Sequence, residues 1–214
     1  MKNGLFITFE GIDGSGKTTQ IAAFIDCLNR ASVSNVLFRE PGGTAIGEKI
    51  RDILLDKKNT RMSTIAELLL YSASRHQLSR ESIIPALESG KVVICDRFYD
   101  STTAYQGFGR GIDLSFIQRL NSVATDWLVP DLTFILDIDL SERTNRIGAK
   151  ELDRLESEDA DFQRRVRDGF LQIAKDTPDR FVVLNGSRAV DIISAEIWTH
   201  FLNLCKRKEY AVSE

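Results

Sequence analysis

Thiols are scarce in this 214-residue chain: Cys27, Cys95 and Cys205 are odd in number and far apart. Neither a disulfide framework nor a thiolate metal site is therefore expected, and the three are read as reduced, mostly buried cysteines. Long apolar runs are missing, so no membrane-spanning helix is expected, and the N-terminus lacks the basic-then-apolar layout of a signal peptide. The expected location is the cytoplasm. Excess positive charge is missing too, with 28 Lys and Arg against 31 Asp and Glu and a net charge of −3 at pH 7. Affinity for nucleic acid comes mostly from basic side chains that displace counterions, so coating nucleic acid is excluded as the main task and any phosphate affinity must be local. No long linker, repeat or low-complexity block interrupts the chain, and 43% hydrophobic content over this length can bury one substantial core. One domain spanning residues 1–214 is the expectation.

What is present is concentrated near the start. Gly11-Ile12-Asp13-Gly14-Ser15-Gly16-Lys17-Thr18 matches G-x-x-x-x-G-K-[ST] and follows directly on the apolar run at residues 5–9. The glycines let the backbone curl so that successive N–H groups converge on a phosphate, Lys17 reaches the outer phosphates, and Thr18 can hold a magnesium ion. Residues 19–30, with Ile21, Phe24, Ile25 and Leu28 at helical spacing, supply the helix that such a loop needs behind it. Nucleoside triphosphate binding follows.

Strand-like runs at residues 5–9, 36–39, 91–95, 132–137 and 181–184 carry enough Val, Ile, Leu or Phe to be buried. Helical spacing marks residues 48–55, 64–78, 114–125, 161–175 and 190–206 between and after them. This alternation predicts an α/β chain with a five-stranded parallel sheet and helices on both faces, the three-layer fold of P-loop NTPases, with ligands beyond the carboxyl ends of the strands.

The remaining candidates follow those strand ends. Arg39-Glu40-Pro41-Gly42-Gly43-Thr44 follows the second strand, and Arg51 lies about a turn into the next helix. After the third come Asp96-Arg97-Phe98 and then Thr102, Tyr105 and Gln106. An acidic strand end beside a phosphate loop suits magnesium held through water, and a neighbouring Arg suits bidentate phosphate binding, although a buried Asp–Arg pair that only fastens a loop would look the same. Tyr71 and Arg75 are four apart on one helix face, where a ring can stack on a base and a guanidinium can donate to an exocyclic carbonyl oxygen; core plus surface would give the same spacing. On that helix Ile65, Leu68, Leu69 and Ala73 supply apolar packing surface. Arg143, Arg146, Lys150, Asp153, Arg154 and Glu156 cross a helix break at Ile147-Gly148-Ala149 and read as a lid over residues 147–159, or as a solvated charged helix. His76 and His200 are isolated and read as ordinary surface or partly buried residues, and the polar tail from Lys206 to Glu214 is expected to fray.

Phe9-Glu10-Gly11-Ile12-Asp13-Gly14-Ser15-Gly16-Lys17-Thr18-Thr19, Arg39-Glu40-Pro41-Gly42-Gly43-Thr44, Asp96-Arg97-Phe98 and Ala104-Tyr105-Gln106-Gly107 together resemble the thymidylate kinase family over nearly the whole chain. The resemblance implies transfer of the terminal phosphoryl group of ATP to dTMP with magnesium, and usually a homodimer packed through helices. It places ATP on Gly11, Ile12, Asp13, Gly14, Ser15, Gly16, Lys17, Thr18 and Thr19, and magnesium near Thr18 and Asp96. The dTMP phosphate falls on Arg39, Arg51 and Arg97, with thymine on Tyr71 beside Arg75, Thr102 and Gln106. Tyr105 packs where a ribose 2′-hydroxyl would lie, Asp13 lies near the sugar 3′-hydroxyl or the metal, and residues 185–188 brush the adenine. Lys17, Asp13 and Arg97 carry the implied catalysis.

Many relatives have Phe at the position of Tyr71. No Arg stands inside the phosphate loop, so the chain resembles the bacterial type with its catalytic charge in the lid, where Lys150, Arg146 or Arg154 can take the role. A deoxynucleoside kinase is the runner-up, although that family usually reads Glu-Arg-Ser where this chain has Asp-Arg-Phe. A nucleotide-dependent switch or regulatory ATPase is disfavoured, because no Asn-Lys-x-Asp segment is present and Asp96 lacks a following Gly.

Overall fold

A computed structural model describes residues 4–148 and 152–212. Strands β1 (Leu5–Glu10), β2 (Asn35–Arg39), β3 (Val92–Asp96), β4 (Leu132–Asp137) and β5 (Phe181–Asn185) form one parallel sheet in the order β2-β3-β1-β4-β5. The chain fills the β2 and β3 side of β1 first, then crosses to β4 and β5 on the other, so the carboxyl ends of the strands open onto a crevice. Every residue of β1 is buried, Thr8 and Glu10 included, as a place in the middle of a parallel sheet requires. The edge strands correct the expectation of burial throughout: Leu37 of β2 is 45% and Val183 of β5 44% exposed. A strand with one neighbour has less to cover it.

Alternation along β1 divides the core. Leu5, Ile7 and Phe9 point to the face covered by α1 (Lys17–Arg30) and α9 (Val190–Lys208), where Phe9, Phe24, Phe134 and Phe201 pack. Phe6 points to the other face, beside Leu78, Leu87, Val93 and Phe98. A third cluster gathers Ile12, Tyr71, Tyr105, Ile135, Phe162, Val166 and Phe170 beneath the crevice. Each fully buried Phe contributes about 1.5–3 kcal/mol, so these clusters fix the sheet under the loops that carry polar chemistry.

Helix starts are set by caps. Gly16, at φ 96°, turns the chain directly into α1, two residues earlier than spacing predicts. Thr44 accepts a hydrogen bond from the Gly47 N–H at 2.9 Å and starts α2 (Ala45–Leu55) three residues early. Ser63 caps α3 (Thr64–Leu78), which has its predicted bounds. Three of the four apolar residues expected to pack from α3, Ile65, Leu69 and Ala73, are exposed instead, and only Leu68 is buried. The inward face of α3 carries Glu67, Tyr71, Ser74 and Arg75.

Spacing did not mark α4 (Ile84–Glu88), reached through a π turn at Ser79–Ile83, or α5 (Tyr99–Thr102), which runs into a π turn at Thr103–Gly109. These pieces are short, and the second is rich in Ser, Thr and Gly, so tertiary packing decides them. α6 (Leu114–Ala124), α7 (Leu140–Ile147) and α8 (Ala160–Asp176) complete the helices among the described residues. α7 ends where the break was expected, at Gly148 with φ 55°. The tail does not fray as expected through residue 212: the Tyr210 hydroxyl donates to the Gly90 carbonyl at 2.9 Å, and Tyr210 and Val212 pack on the α1–α9 core. Cys95 and Cys205 are buried and Cys27 is partly buried, all three free. No helix is long and apolar enough to cross a membrane, among the described residues.

Candidate active site

The phosphate loop turns back at the end of β1. A Cβ on Gly11 would lie 2.4 Å from the Leu136 carbonyl oxygen, and φ there is 130°, so only glycine fits. Within the loop Lys17 Nζ donates to the carbonyls of Gly11 and Ile12, at 2.9 and 3.1 Å. Burial, aided by the Arg97 charge and opposed by Asp13, Asp96 and Glu10, brings its amine down to about 8. An anion in the loop would reverse that shift by supplying the missing counter-charge.

The loop forms one wall of a cavity of about 990 Å³ at the strand ends. Asp13, Gly14, Ser15, Gly16, Lys17, Thr18 and Thr19 line it from the loop, and Arg39, Arg51, Tyr71, Arg75, Asp96, Arg97, Thr102, Tyr105 and Gln106 line it from other elements. Sequence therefore brought together residues as far apart as 13 and 106. Gly11 and Ile12 are buried beneath the loop rather than on its lining.

Arg97, after β3, ties the end of that strand to the phosphate loop. Its backbone is left-handed, at φ 71°, an unfavourable state for a residue with a side chain unless neighbours enforce it. The enforcement is visible: Arg97 N–H donates to the Phe9 carbonyl at 3.0 Å, and the next N–H, of Phe98, donates to Glu10 Oε1 at 2.7 Å. Glu10 Oε2 accepts from the Ser101 hydroxyl at 2.6 Å. Glu10 was missed as a functional candidate because at the end of an apolar strand it reads only as part of the motif. Full burial, together with the Asp100 charge, pushes its carboxyl up to about 8 despite these bonds and the Arg97 charge.

The Arg97 fork donates to the Gly11 carbonyl at 2.9 Å, the Ser101 hydroxyl at 3.2 Å and Asp13 Oδ1 at 2.5 Å, with its guanidinium carbon 5.4 Å from the Tyr105 ring centre. Burial works to raise the Asp13 carboxyl, yet Arg97 and Lys17 outweigh it and hold that carboxyl well below its ordinary range. The Tyr105 hydroxyl points to Asp13 Oδ2 at 3.4 Å, and burial pushes it up, so it is a neutral donor. Arg51 Nη1 donates to the Pro41 carbonyl at 2.8 Å. Arg39 bonds both oxygens of Glu48 at 3.1 Å but is half exposed, so that pair is weak and the guanidinium can be drawn to a ligand.

Tyr71 and Arg75 share the inner face of α3, as their spacing predicts. Arg75 is only 1% exposed. Its Nε donates to Glu40 Oε2 at 2.6 Å, Nη1 to the Thr102 hydroxyl at 2.8 Å and Nη2 to the Phe98 carbonyl at 3.2 Å. A guanidinium has five N–H groups, so two remain for the cavity that it lines. The same face carries Glu67, one turn before Tyr71, which sequence reading passed over. It accepts from Gln106 Nε2 at 2.9 Å and from Arg110 at 3.1 and 3.2 Å, and pairs with Arg154 Nη1 at 2.6 Å. The series Glu67, Tyr71, Arg75 repeats every four residues and was the available signal.

The lid candidates separate in space. Arg146 of α7 lies over the phosphate loop, with Nη1 3.4 Å from the Gly14 carbonyl and Nη2 2.9 Å from that of Gly186, and it pairs with Glu142. Arg143 Nη2 donates to the Glu156 carbonyl at 3.1 Å. Arg154 is turned away from the loop: its Nε donates to the Leu54 carbonyl at 2.8 Å and its Nη1 is held by Glu67. Asp153 and Glu156 line the cavity. Lys150 lies outside the described residues.

Magnesium fits the residues present. Asp96 Oδ1 is buried with no hydrogen-bond partner at the carboxyl end of β3, and Thr18 lines the cavity in the first turn of α1. The described residues hold no cluster of three metal-ligating side chains.

A phosphate loop that shares one cavity with three arginines, at the carboxyl ends of a β2-β3-β1-β4-β5 parallel sheet, defines a P-loop phosphotransferase for a phosphorylated acceptor. The family model described as Thymidylate kinase matches residues 9–197. Thymidylate kinase of Thermoanaerobacter sp. (strain X514) is 46% identical over 194 residues, 91% of this chain and 95% of that protein. That of Deinococcus radiodurans is 46% identical over 199 residues, 92% and 96% of the two chains. The solved structure of thymidylate kinase from Ehrlichia chaffeensis superposes with a TM-score of 0.77 at 39% identity, covering 92% of this chain and 98% of that one. The chain belongs to the thymidylate kinase family.

Proposed function

We propose the following division of labour for this chain, which, as a thymidylate kinase, transfers the terminal phosphoryl group of ATP to dTMP with magnesium and gives ADP and dTDP for dTTP synthesis. The ATP phosphates lie along Gly14 to Thr19 at the start of α1, where backbone N–H groups and Lys17 neutralise them. Thr18 and Asp96 hold magnesium, which screens the charge of the phosphates. The acceptor phosphate is gripped by Arg97, Arg51 and Arg39. Thymine stacks on Tyr71, with the spare N–H groups of Arg75 and the side chains of Thr102 and Gln106 at its edge. Tyr105, packed against Asp13, closes the space that a ribose 2′-hydroxyl would need, and Asp13 receives the 3′-hydroxyl.

A phosphate monoester has its second pKa near 6, so its attacking oxygen is already ionised at neutral pH. No strong base is needed, and catalysis is positioning plus neutralisation. Among the lid candidates Arg146 is favoured for the catalytic charge, because it reaches Gly14 while Arg154 is bound to Glu67. The lid spans residues 147–159 of a single domain. Exposed Ile46 and Ile53 of α2, Ile65 and Leu69 of α3, and Phe116 and Val123 of α6 support a homodimer packed through those helices. The cytoplasm is the proposed location.

The observation that carries this reading is the convergence of Lys17 and Arg97 on the Gly11 carbonyl, with Asp13 bonded to Arg97 and all three lining one cavity. The test is ADP formation from ATP and magnesium with dTMP, dUMP, dCMP, dAMP, UMP and thymidine offered separately. Strong preference for dTMP is expected; turnover of thymidine alone, or none dependent on an acceptor, refutes the acceptor site.

A further inference from the structure

Glu67 is a buried carboxylate that touches neither the phosphate loop nor the acceptor phosphate site, yet four side-chain N–H contacts converge on it. Oε1 accepts from Gln106 Nε2 at 2.9 Å and Arg110 Nε at 3.2 Å, while Oε2 takes Arg110 Nη2 at 3.1 Å and Arg154 Nη1 at 2.6 Å. Its side chain is 2% exposed. Burial works to raise its carboxyl, but the hydrogen bonds from Arg110 and Gln106 and the charges of Arg110 and Arg154 outweigh it and hold the group below its ordinary value. Glu67 is therefore an ion, which accepts hydrogen bonds and donates none.

Gln106 is the member of this cluster that reaches the cavity. A side-chain amide has a donor end and an acceptor end. A neutral partner would tolerate either orientation, whereas an ionised carboxylate takes the NH₂ and repels the carbonyl. With Nε2 committed to Glu67, the carbonyl is the end left for a ligand. A carbonyl accepts from a pyrimidine that carries N–H at ring position 3, as thymine and uracil do, and meets lone pair against lone pair at the unprotonated ring nitrogen of cytosine.

We infer that Glu67 is a positioning residue for base selection: it fixes Gln106 with its carbonyl toward the acceptor base and so enforces preference for a 3-NH pyrimidine. This rests on the acceptor-site reading above. It is distinct from a purely structural role for Glu67, which would weaken every acceptor alike.

The test is kcat/KM for dTMP, dUMP and dCMP in the wild type, Glu67→Gln, Gln106→Met and the double variant. A glutamine at 67 offers both donor and acceptor, so Gln106 can turn its NH₂ to the cavity. The dTMP to dCMP ratio is expected to fall at least tenfold in Glu67→Gln, chiefly through KM for dTMP, and dUMP to fall in step with dTMP. Gln106→Met should show a comparable loss, and adding Glu67→Gln to it should leave the ratio unmoved. Because the readout is a ratio within one variant, a general loss from loosened Arg110 and Arg154 cancels. An unchanged ratio in Glu67→Gln overturns the inference while leaving the kinase reading intact; a wild type indifferent between dTMP and dCMP overturns both. Should Glu67→Gln fail to fold, the wild type still decides by nitrogen-15 NMR, with the side-chain amide of Gln106 assigned by its disappearance in Gln106→Met. The amide proton that Gln106 donates to Glu67 should exchange slowly and stay in place on addition of dTMP; rapid exchange of that proton, or a large shift of it on dTMP binding, overturns the inference.

Discussion

Arg97→Ala removes a fork that bridges three groups from two elements: the Gly11 carbonyl, the Ser101 hydroxyl and Asp13 Oδ1. With dTMP bound, that fork is expected to hold the acceptor phosphate through two charge-assisted bonds, each with a net value of about 1.5–3 kcal/mol. Losing both lowers kcat/KM for dTMP by roughly 10²- to 10⁴-fold. Arg97→Lys keeps the charge but replaces a rigid fork with a single donor head, so about one bond is lost and the fall is roughly 10- to 100-fold. The backbone strain at φ 71° is common to Arg, Lys and Ala and drops out of the comparison.

The assay is coupled ADP release, with dTMP varied at saturating ATP and then ATP varied at saturating dTMP. The loss should fall on dTMP, with KM for ATP little changed. A loss confined to ATP would show that Arg97 serves the donor phosphates, and near-normal dTMP use in Arg97→Ala would remove it from the site. A second consequence is independent of turnover. Asp13 has an ordinary carboxyl value of 3.8 and is held below it chiefly by Arg97, so its contribution to stability is full above that value and is lost as pH falls through the lower folded value. Arg97→Ala should therefore shallow the acid limb of the unfolding curve below about pH 4. An unchanged acid limb would mean that Arg97 does not set the Asp13 carboxyl.

Lys17→Met should cut kcat by about 10²- to 10³-fold while leaving the circular dichroism spectrum unchanged, because it removes a neutralising contact and an ammonium that burial already disfavours; turnover near wild type would refute the role. Glu10 is raised from 4.5 to about 8, so between those values the folded state holds a proton that the unfolded state releases, and its contribution to stability falls as pH rises. Urea midpoints at pH 5 and pH 8 should differ less in Glu10→Gln than in the wild type; an equal or larger difference would count against a protonated Glu10. Gly169→Ala places a methyl 2.7–2.8 Å from the Phe108 side chain, which backs onto α8, and should cost about 1–3 kcal/mol by overpacking. Melting temperature should drop by several degrees with KM for both substrates kept, and an unchanged melting temperature would show that Phe108 yields freely.

The phosphate loop was legible because it is local: eight consecutive residues set the turn, the lysine and the helix start, and the apolar run before them is itself a strand. Tyr71 and Arg75 were legible as a face because helical spacing is local as well. The strands were found to within a residue or two for the same reason. Their exposure was not, since position at the edge or centre of the sheet depends on pairing between segments distant in sequence. Glu10 and Glu67 escaped notice because a lone carboxylate in an apolar stretch acquires meaning only from the N–H and O–H donors that surround it. Those come from residues 98 and 101 in one case and from 106, 110 and 154 in the other.

The basic segment from 143 to 156 is the clearest division. Sequence determined that positive charge is concentrated beside a helix break, and nothing in its spacing separated Arg146 from Arg154. Tertiary structure decided it, because α7 lies over the phosphate loop and brings Arg146 to Gly14, while Arg154 is bonded to Glu67 of α3. Periodicity along a chain reports which residues share a face. Which face meets which is settled by the burial of apolar clusters from distant segments, and that packing assigns each charge its partner.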